Sequence, residues 1–171
     1  SPVLGPNVLA AARIGMATLT LAVIMRLARH TWPRGHWREL ALIGLLSVAL
    51  PFLLFAWAAL RLPAGYSALL NSTAVVFGMF ASAWFKEDTL TTRKVIGCIC
   101  GFAGVALIVG LGPVQPTWEV ALAALACVVA SGCYGVSTPL MKRALGRMQP
   151  LQIAAGLHAM AFLMLLPGAA W

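Results

Sequence analysis

The chain has 171 residues, of which 61% are hydrophobic and only 9% are charged, and its formal net charge at pH 7 is +8. Soluble domains carry about 25% charged residues, so this composition excludes an aqueous domain of any size. The positive charge lies in short loops between apolar stretches rather than in one patch. That distribution argues against a nucleic-acid partner and for attraction to anionic lipids.

Six apolar stretches follow one another along the chain, and each is long enough to cross a membrane. A helix needs about 20 mainly apolar residues to span the hydrocarbon core. The stretches cover residues 8–27, 39–60, 64–85, 95–112, 118–138 and 151–170. We therefore predict an all-α polytopic membrane protein with six transmembrane helices here and the lipid bilayer as a partner.

Lys and Arg are concentrated in alternate loops, and basic loops stay in the cytoplasm. The basic loops are residues 28–38, 86–94 and 141–149, whereas the intervening loops contain Arg61 alone. We predict that these three loops are cytoplasmic and that the protein lies in the inner (plasma) membrane. Residue 1 then lies outside the cytoplasm, and because no signal peptide precedes the first stretch, we expect at least one helix upstream.

Two of the predicted helices present a face of small and polar residues at helical spacing. Polar side chains that faced lipid would be costly, so these faces turn toward other helices or a wet cavity. From the third and fifth helices we take four candidates for a substrate pathway: Ser67, Asn71, Ser131 and Tyr134. The alternative is interhelical hydrogen bonding, which we favour for the serines and weigh evenly against a pathway role for Asn71 and Tyr134.

The fourth helix carries Gly97, Gly101 and Gly104 on one face. Helices in lipid associate through close packing, which needs small residues, and a GxxxG pattern is a typical contact surface. We predict a helix-packing role for these three glycines.

Two ionisable side chains lie inside apolar stretches. Arg13 either extends to the outer interface or faces a central cavity and binds an anionic group. His158 lies about two turns into the last helix, where it is either a proton relay or a neutral hydrogen-bonding residue. Both join the pathway candidates.

Pro51 and Pro139 interrupt the second and fifth helices, and such prolines permit kinks.

Nothing in the sequence indicates an enzyme, a cofactor or a metal site. The four cysteines lie within apolar segments without zinc spacing, and the four acidic residues lie at helix ends or in loops. The chain has no phosphate-binding GKS/T loop, no HExxH motif and no GxSxG motif. An intramembrane enzyme is therefore the weakest of our hypotheses, and we predict no catalytic residues.

A faint internal repeat relates the first and last stretches. When Pro6 is aligned with Pro150, six identical pairs follow within 16 positions, among them Ala10 with Ala154 and Met16 with Met160. The predicted topology runs the first copy inward and the second outward. Such an inverted repeat is typical of many secondary transporters.

Three segments carry a resemblance to the EamA-type drug/metabolite transporter superfamily: GYSALLNST at 65–73, FKEDTL at 85–90 and GCICGFAGVALI at 97–108. The opening residues resemble the start of the family's second helix, whose arginine matches Arg13. Residues from Trp118 to Arg143 resemble the first helix of its second repeat. The chain departs from the family pattern at Lys86, which replaces the glycine of a Gly-Glu pair, and at Val75, which replaces a proline.

The resemblance implies a ten-helix transporter built from two inverted five-helix repeats, of which this chain spans helices two to seven. Residues 1–112 are then the first repeat without its first helix, and residues 113–171 are the first two helices of the second repeat. We predict a secondary transporter that exports a small metabolite, amino acid or drug-like solute by alternating access. The alternative is a membrane scaffold that does not transport, and a homodimer is left open.

Overall fold

The computed structural model describes residues 6–33, 35–109 and 117–169, and within them the regular structure is helical without any strand. Seven α-helices and one π-helical turn follow in chain order: α1 (Pro6–Leu27), α2 (Trp37–Gly44), the π-helical turn (Leu45–Ala49), α3 (Leu50–Ala58), α4 (Ala64–Trp84), α5 (Thr92–Val109), α6 (Trp118–Leu145) and α7 (Pro150–Ala169). The predicted all-α fold is confirmed for these residues.

Three helical segments in the described part of the chain combine the length and the apolar character needed to cross a membrane. They are Trp37–Ala58 with 22 residues, Ala64–Trp84 with 21 and Trp118–Leu145 with 28. The first consists of α2, the π-helical turn and α3 in one continuous run. Several such helices in one chain make a multi-pass membrane protein. Spans over the other three apolar stretches stay predictions.

Most helix starts lie close to the predicted positions, because turn residues mark them. Proline is favoured in the first turn of a helix, and α1 and α7 both begin with one, at Pro6 and Pro150. The predicted end of the fifth stretch at 138 was wrong, since α6 continues through Pro139 to Leu145. The predicted loop 141–149 is therefore helical over its first residues. The predicted boundary at 112/113 lies outside the described residues.

Pro51 does not interrupt the second apolar stretch, because the backbone adapts to it. Proline has no N–H, so the carbonyl of Ser47, four residues earlier, loses its usual helical donor. The residues directly before the proline, Leu45–Ala49, form the π-helical turn. The helix then resumes as α3 and reaches Ala58. We therefore correct the prediction of an interruption to a local change in hydrogen-bond pattern.

The described residues form two compact units. The first unit consists of the residues up to Leu53 and those from Leu140 onward. In it α7 packs against α1, α2 and the π-helical turn, and its core contains Ile14, Leu40 and Ile153, which are almost fully buried.

Side-chain contacts link the connection between α1 and α2 to the connection between α6 and α7 at one end of the first unit. Gln152 Nε2 donates a hydrogen bond to the Thr31 carbonyl oxygen at 2.7 Å. Arg147 Nη1 lies 3.4 Å from Glu39 Oε2. The first contact joins the loop after α1 to the first turn of α7, and the second joins the turn before α7 to the first turn of α2. Because the ion pair is exposed, its contribution to stability is below about 1 kcal/mol.

The second unit consists of residues 54–139 and contains α4, α5 and most of α6. Helix α5 packs on α4, and α4 and α6 come close to each other at Gly78 and Gly135. A Cβ added to Gly78 would lie 3.7 Å from the Gly135 Cα, and a Cβ added to Gly135 would overlap Phe77. The two glycines therefore allow the backbones of α4 and α6 to come into contact.

Candidate functional site

A groove of about 770 Å³ lies among α4, α5 and α6 in the second unit. Most of its wall is apolar, and hydroxyl groups from α4 and α6 interrupt it. The polar and small residues that line it include Ser72, Gly78, Ser82, Gly97, Cys98, Gly101, Tyr134 and Thr138. A concave, mostly apolar surface with a few polar groups is the usual form of a small-molecule site.

Tyr134 is the pathway candidate that the structure places in this groove. Its ring stacks on Phe55 with the two centroids 6.3 Å apart and an interplanar angle of 20°. Among the described residues, the Tyr134 hydroxyl makes no hydrogen bond. A fixed ring with an uncommitted hydroxyl can both donate and accept a hydrogen bond to a solute.

Two aliphatic hydroxyls of the groove, those of Ser72 and Thr138, are bonded within their own helices. Ser72 Oγ donates to the Leu69 carbonyl at 2.6 Å, and Thr138 Oγ1 donates to the Tyr134 carbonyl at 3.1 Å. Each hydroxyl hydrogen is therefore used locally, and only lone pairs remain for a ligand. Sequence reasoning missed Ser72 as a lining residue, although it lies next to Asn71 in the chain.

An ion pair lies in the wall of the groove, close to the turn between α4 and α5. Lys94 Nζ is 2.6 Å from Asp88 Oδ2 and donates to the Thr89 carbonyl at 3.0 Å. Both side chains are partly exposed, so solvent screens the pair. The pair places both signs of charge in the groove wall.

The other three candidates of the second unit do not line the groove. Asn71 is exposed on α4. Ser131 is fully buried, and its Oγ lies 3.0 Å from the Leu70 carbonyl and 2.8 Å from the Cys127 carbonyl. The Ser67 hydroxyl is buried without a well-formed hydrogen bond to the described residues and lies beside the Cys127 thiol, a weak partner.

Ser131→Ala will lower the stability of the protein by a small amount, because it removes the hydrogen bond that joins α6 to α4. Such interhelical bonds contribute about 0.6 kcal/mol on average. Thermal unfolding in detergent, followed by tryptophan fluorescence, measures the change. Ser137→Ala is the matched control, since the Ser137 hydroxyl bonds only its own helix, at the Tyr134 carbonyl. Equal destabilisation by the two variants would contradict the prediction.

The remaining two candidates lie in the first unit. The Arg13 guanidinium carbon is 5.6 Å from the centroid of the Phe52 ring, a cation–π arrangement, and the Arg13 side chain is exposed. His158 Nδ1 is 2.8 Å from the Ala154 carbonyl oxygen, and His158 lines a smaller pocket of that unit. Sequence reasoning missed Phe52, because an apolar aromatic residue in an apolar helix gives no signal.

The three glycines of α5 have an open face in the described part of the chain. No atom described lies within 4 Å of the point where a Cβ would stand on Gly97, Gly101 or Gly104. Gly97 and Gly101 contribute to the groove wall. Their packing role stays a prediction, and it requires a helix outside the described residues. We find no group of three or more His, Cys, Asp or Glu side chains that could hold a metal ion within the described ranges.

The apolar helices define the class as a multi-pass membrane protein, and its second unit contains an open groove. Residues 2–110 match the sequence profile described as the EamA-like transporter family. The chain therefore belongs to the EamA-like transporter family, and the resemblance in its sequence is confirmed.

Curated relatives support the same membership. The chain is 29% identical over 142 residues to a probable terminal-alkyne amino-acid exporter of Streptantibioticus cattleyicolor, covering 81% of this chain and 47% of the relative. It is 31% identical over 160 residues to an uncharacterized protein of Pseudomonas aeruginosa, covering 91% and 52%. It is 27% identical over 116 residues to Protein PecM of Dickeya dadantii, covering 67% and 39%.

The chain spans about half the length of the curated relatives it matches. No solved structure matches it significantly.

Proposed function

We propose that the intact protein is a secondary transporter that exports small solutes across the inner membrane by alternating access. Membership in the EamA-like transporter family is the observation that carries this proposal. The groove of the second unit adds a place where a solute could bind, because it combines apolar walls with the Tyr134 hydroxyl and an ion pair. The name of one relative, a probable terminal-alkyne amino-acid exporter, supports the outward direction and amino acids as a substrate class.

The proposed topology places loops 28–38, 86–94 and 141–149 in the cytoplasm. The contacts Gln152–Thr31 and Arg147–Glu39 support it, because Thr31 and Arg147 belong to the first and third of these loops and their partners lie in the first turns of α7 and α2, at the same end of the first unit. The proposed architecture is a ten-helix inverted repeat, with residues 1–112 in the first half and 113–171 in the second. The contact between α1 and α7, the two helices related by the sequence repeat, is consistent with it.

Solute flux in proteoliposomes tests the proposed function. The intact protein is reconstituted into liposomes, and L-propargylglycine, a terminal-alkyne amino acid, is the first solute, since its alkyne allows chemical detection after filtration. A panel of the common amino acids follows, with mass-spectrometric detection. We expect flux of at least one solute above that of empty liposomes. A folded, reconstituted protein that moves none of them would favour the scaffold alternative.

A further inference from the structure

A second pocket, of about 420 Å³, lies in the first unit beside the π-helical turn. Its walls are mainly apolar and include Phe52, Met141, Ile153 and Leu157. The polar side chains among its lining residues are those of Ser47 and His158. The chemistry of these two side chains determines what the pocket can bind.

The hydrogen bond of His158 fixes its tautomer. Its Nδ1 lies 2.8 Å from the Ala154 carbonyl oxygen. A carbonyl oxygen only accepts hydrogen bonds, so Nδ1 carries the proton. In the neutral ring Nε2 then has a free lone pair and acts as an acceptor. His158 therefore provides the pocket with a hydrogen-bond acceptor, Nε2, on the side of the ring away from the Ala154 carbonyl.

Ser47 also offers only an acceptor. Its Oγ donates to the Ile43 carbonyl at 2.6 Å, so the hydroxyl hydrogen is used within the helix. The lone pairs of the same oxygen remain. The polar groups of the pocket can thus receive hydrogen bonds, and neither has a hydrogen left to give.

None of the described side chains that line the pocket belongs to Asp, Glu, Lys or Arg. The Arg13 guanidinium carbon lies 5.6 Å from the centroid of Phe52, but Arg13 is exposed and is not a lining residue. A charged solute would therefore lie against mainly apolar walls without an opposite charge among them, and burial of an unpaired charge is costly. The pocket therefore suits an uncharged solute.

We infer that this pocket binds uncharged, apolar aromatic solutes whose N–H donates a hydrogen bond to Nε2 of His158. An indole ring fits this chemistry, because its N–H is a donor and the ring has no acceptor nitrogen. The inference deepens the proposed function by naming a solute class, and it rests on that function only for the transport of the bound solute. Binding itself is independent of transport.

Two isomers of methylindole test the inference, because they have the same volume and differ in the donor. 3-Methylindole keeps the N–H, whereas 1-methylindole carries its methyl group on the nitrogen. Binding of each to the intact protein in lipid nanodiscs is measured by isothermal titration calorimetry. We expect 3-methylindole to bind about tenfold more tightly, since the unpaired Nε2 penalises the other isomer.

Variants of His158 assign that preference to the residue. His158→Phe keeps an aromatic ring without an acceptor, so the two isomers should bind within twofold of each other. His158→Gln places an amide oxygen close to the position of Nε2 and should restore most of the preference. His30→Phe is the control, because His30 is exposed in the loop after α1. His158→Leu, which also lacks an acceptor, serves as an independent variant if His158→Phe does not fold, and it should likewise abolish the preference.

Equal binding of the two isomers to the wild-type protein would overturn the inference. A preference that persists in His158→Phe would also overturn it. The flux assay keeps this result separate from the proposed function. Donor-dependent binding without flux of any solute would support the inferred solute class of the pocket and refute the transporter function. Flux without donor-dependent binding would support the transporter function and refute the inferred solute class.

Discussion

Gly135→Ala will lower the free energy of unfolding of this protein by about 1–3 kcal/mol, the usual cost of overpacking. The added Cβ would overlap the Phe77 Cβ and lie 2.7 Å from the Gly78 backbone nitrogen. A flexible side chain could move aside, but here the obstacle includes backbone of α4. The helices must therefore separate, and the loss should appear as a lower midpoint of thermal unfolding in detergent.

Gly132→Ala is the matched control for that measurement. It makes the same chemical change in the same helix, at a position where a Cβ would meet nothing within 4 Å among the described residues. Alanine is favoured over glycine in helices by up to about 1 kcal/mol, so this variant should be neutral or slightly more stable. A similar loss in both variants would mean that the α4–α6 approach is not limited by Gly135.

Tyr134→Phe will lower solute flux about tenfold, if the groove of the second unit is on the transport path. The substitution keeps the ring that stacks on Phe55 and removes only the hydroxyl. A lost hydrogen bond of about 1.4 kcal/mol corresponds to this factor of ten. The initial rate of flux in proteoliposomes, at solute concentrations below half-saturation, measures the effect.

Tyr66→Phe provides the comparison for this variant, since Tyr66 is the other tyrosine of the chain. It packs against the buried residues Ala58, Leu62, Ala123 and Cys127 of the second unit and does not line the groove. Removal of the Tyr66 hydroxyl should leave the flux unchanged even if the protein becomes less stable. Unchanged flux in Tyr134→Phe, with a folded and reconstituted protein, would remove Tyr134 from the pathway.

The helical architecture could be predicted from the sequence because its signals are local. A run of apolar residues predicts each helix, and a proline or a basic loop predicts one of its boundaries. Thus α4 begins directly after Pro63, and α7 begins at Pro150. The same local rule failed at Pro139, where α6 continues to Leu145. In the membrane, neighbouring helices and side chains can satisfy the backbone groups that a proline frees, so proline is a weak stop signal there.

The candidate site was only partly predictable, because lining a groove depends on how helices are rotated against one another. Tyr134 and Asn71 both lie on predicted inward faces, yet the structure places Tyr134 in the groove and leaves Asn71 exposed. Close contact depends on rotation as well. The glycines that meet another helix, such as Gly78 and Gly135, are not distinguished in the sequence from those of α5 that meet none of the described residues.

The π-helical turn at Leu45–Ala49 lets the chain hold one extra residue beside the pocket of the first unit. A π-helical turn accommodates one residue more than the same stretch of α-helix, and each residue of an α-helix turns the chain by about 100°. Deletion of one residue between Gly44 and Leu50 would therefore convert the turn to ordinary helix and leave Phe52 facing its partner Arg13. Relatives with a single-residue gap at this point should keep the aromatic wall. Alignments without that gap would pair residues that face different directions.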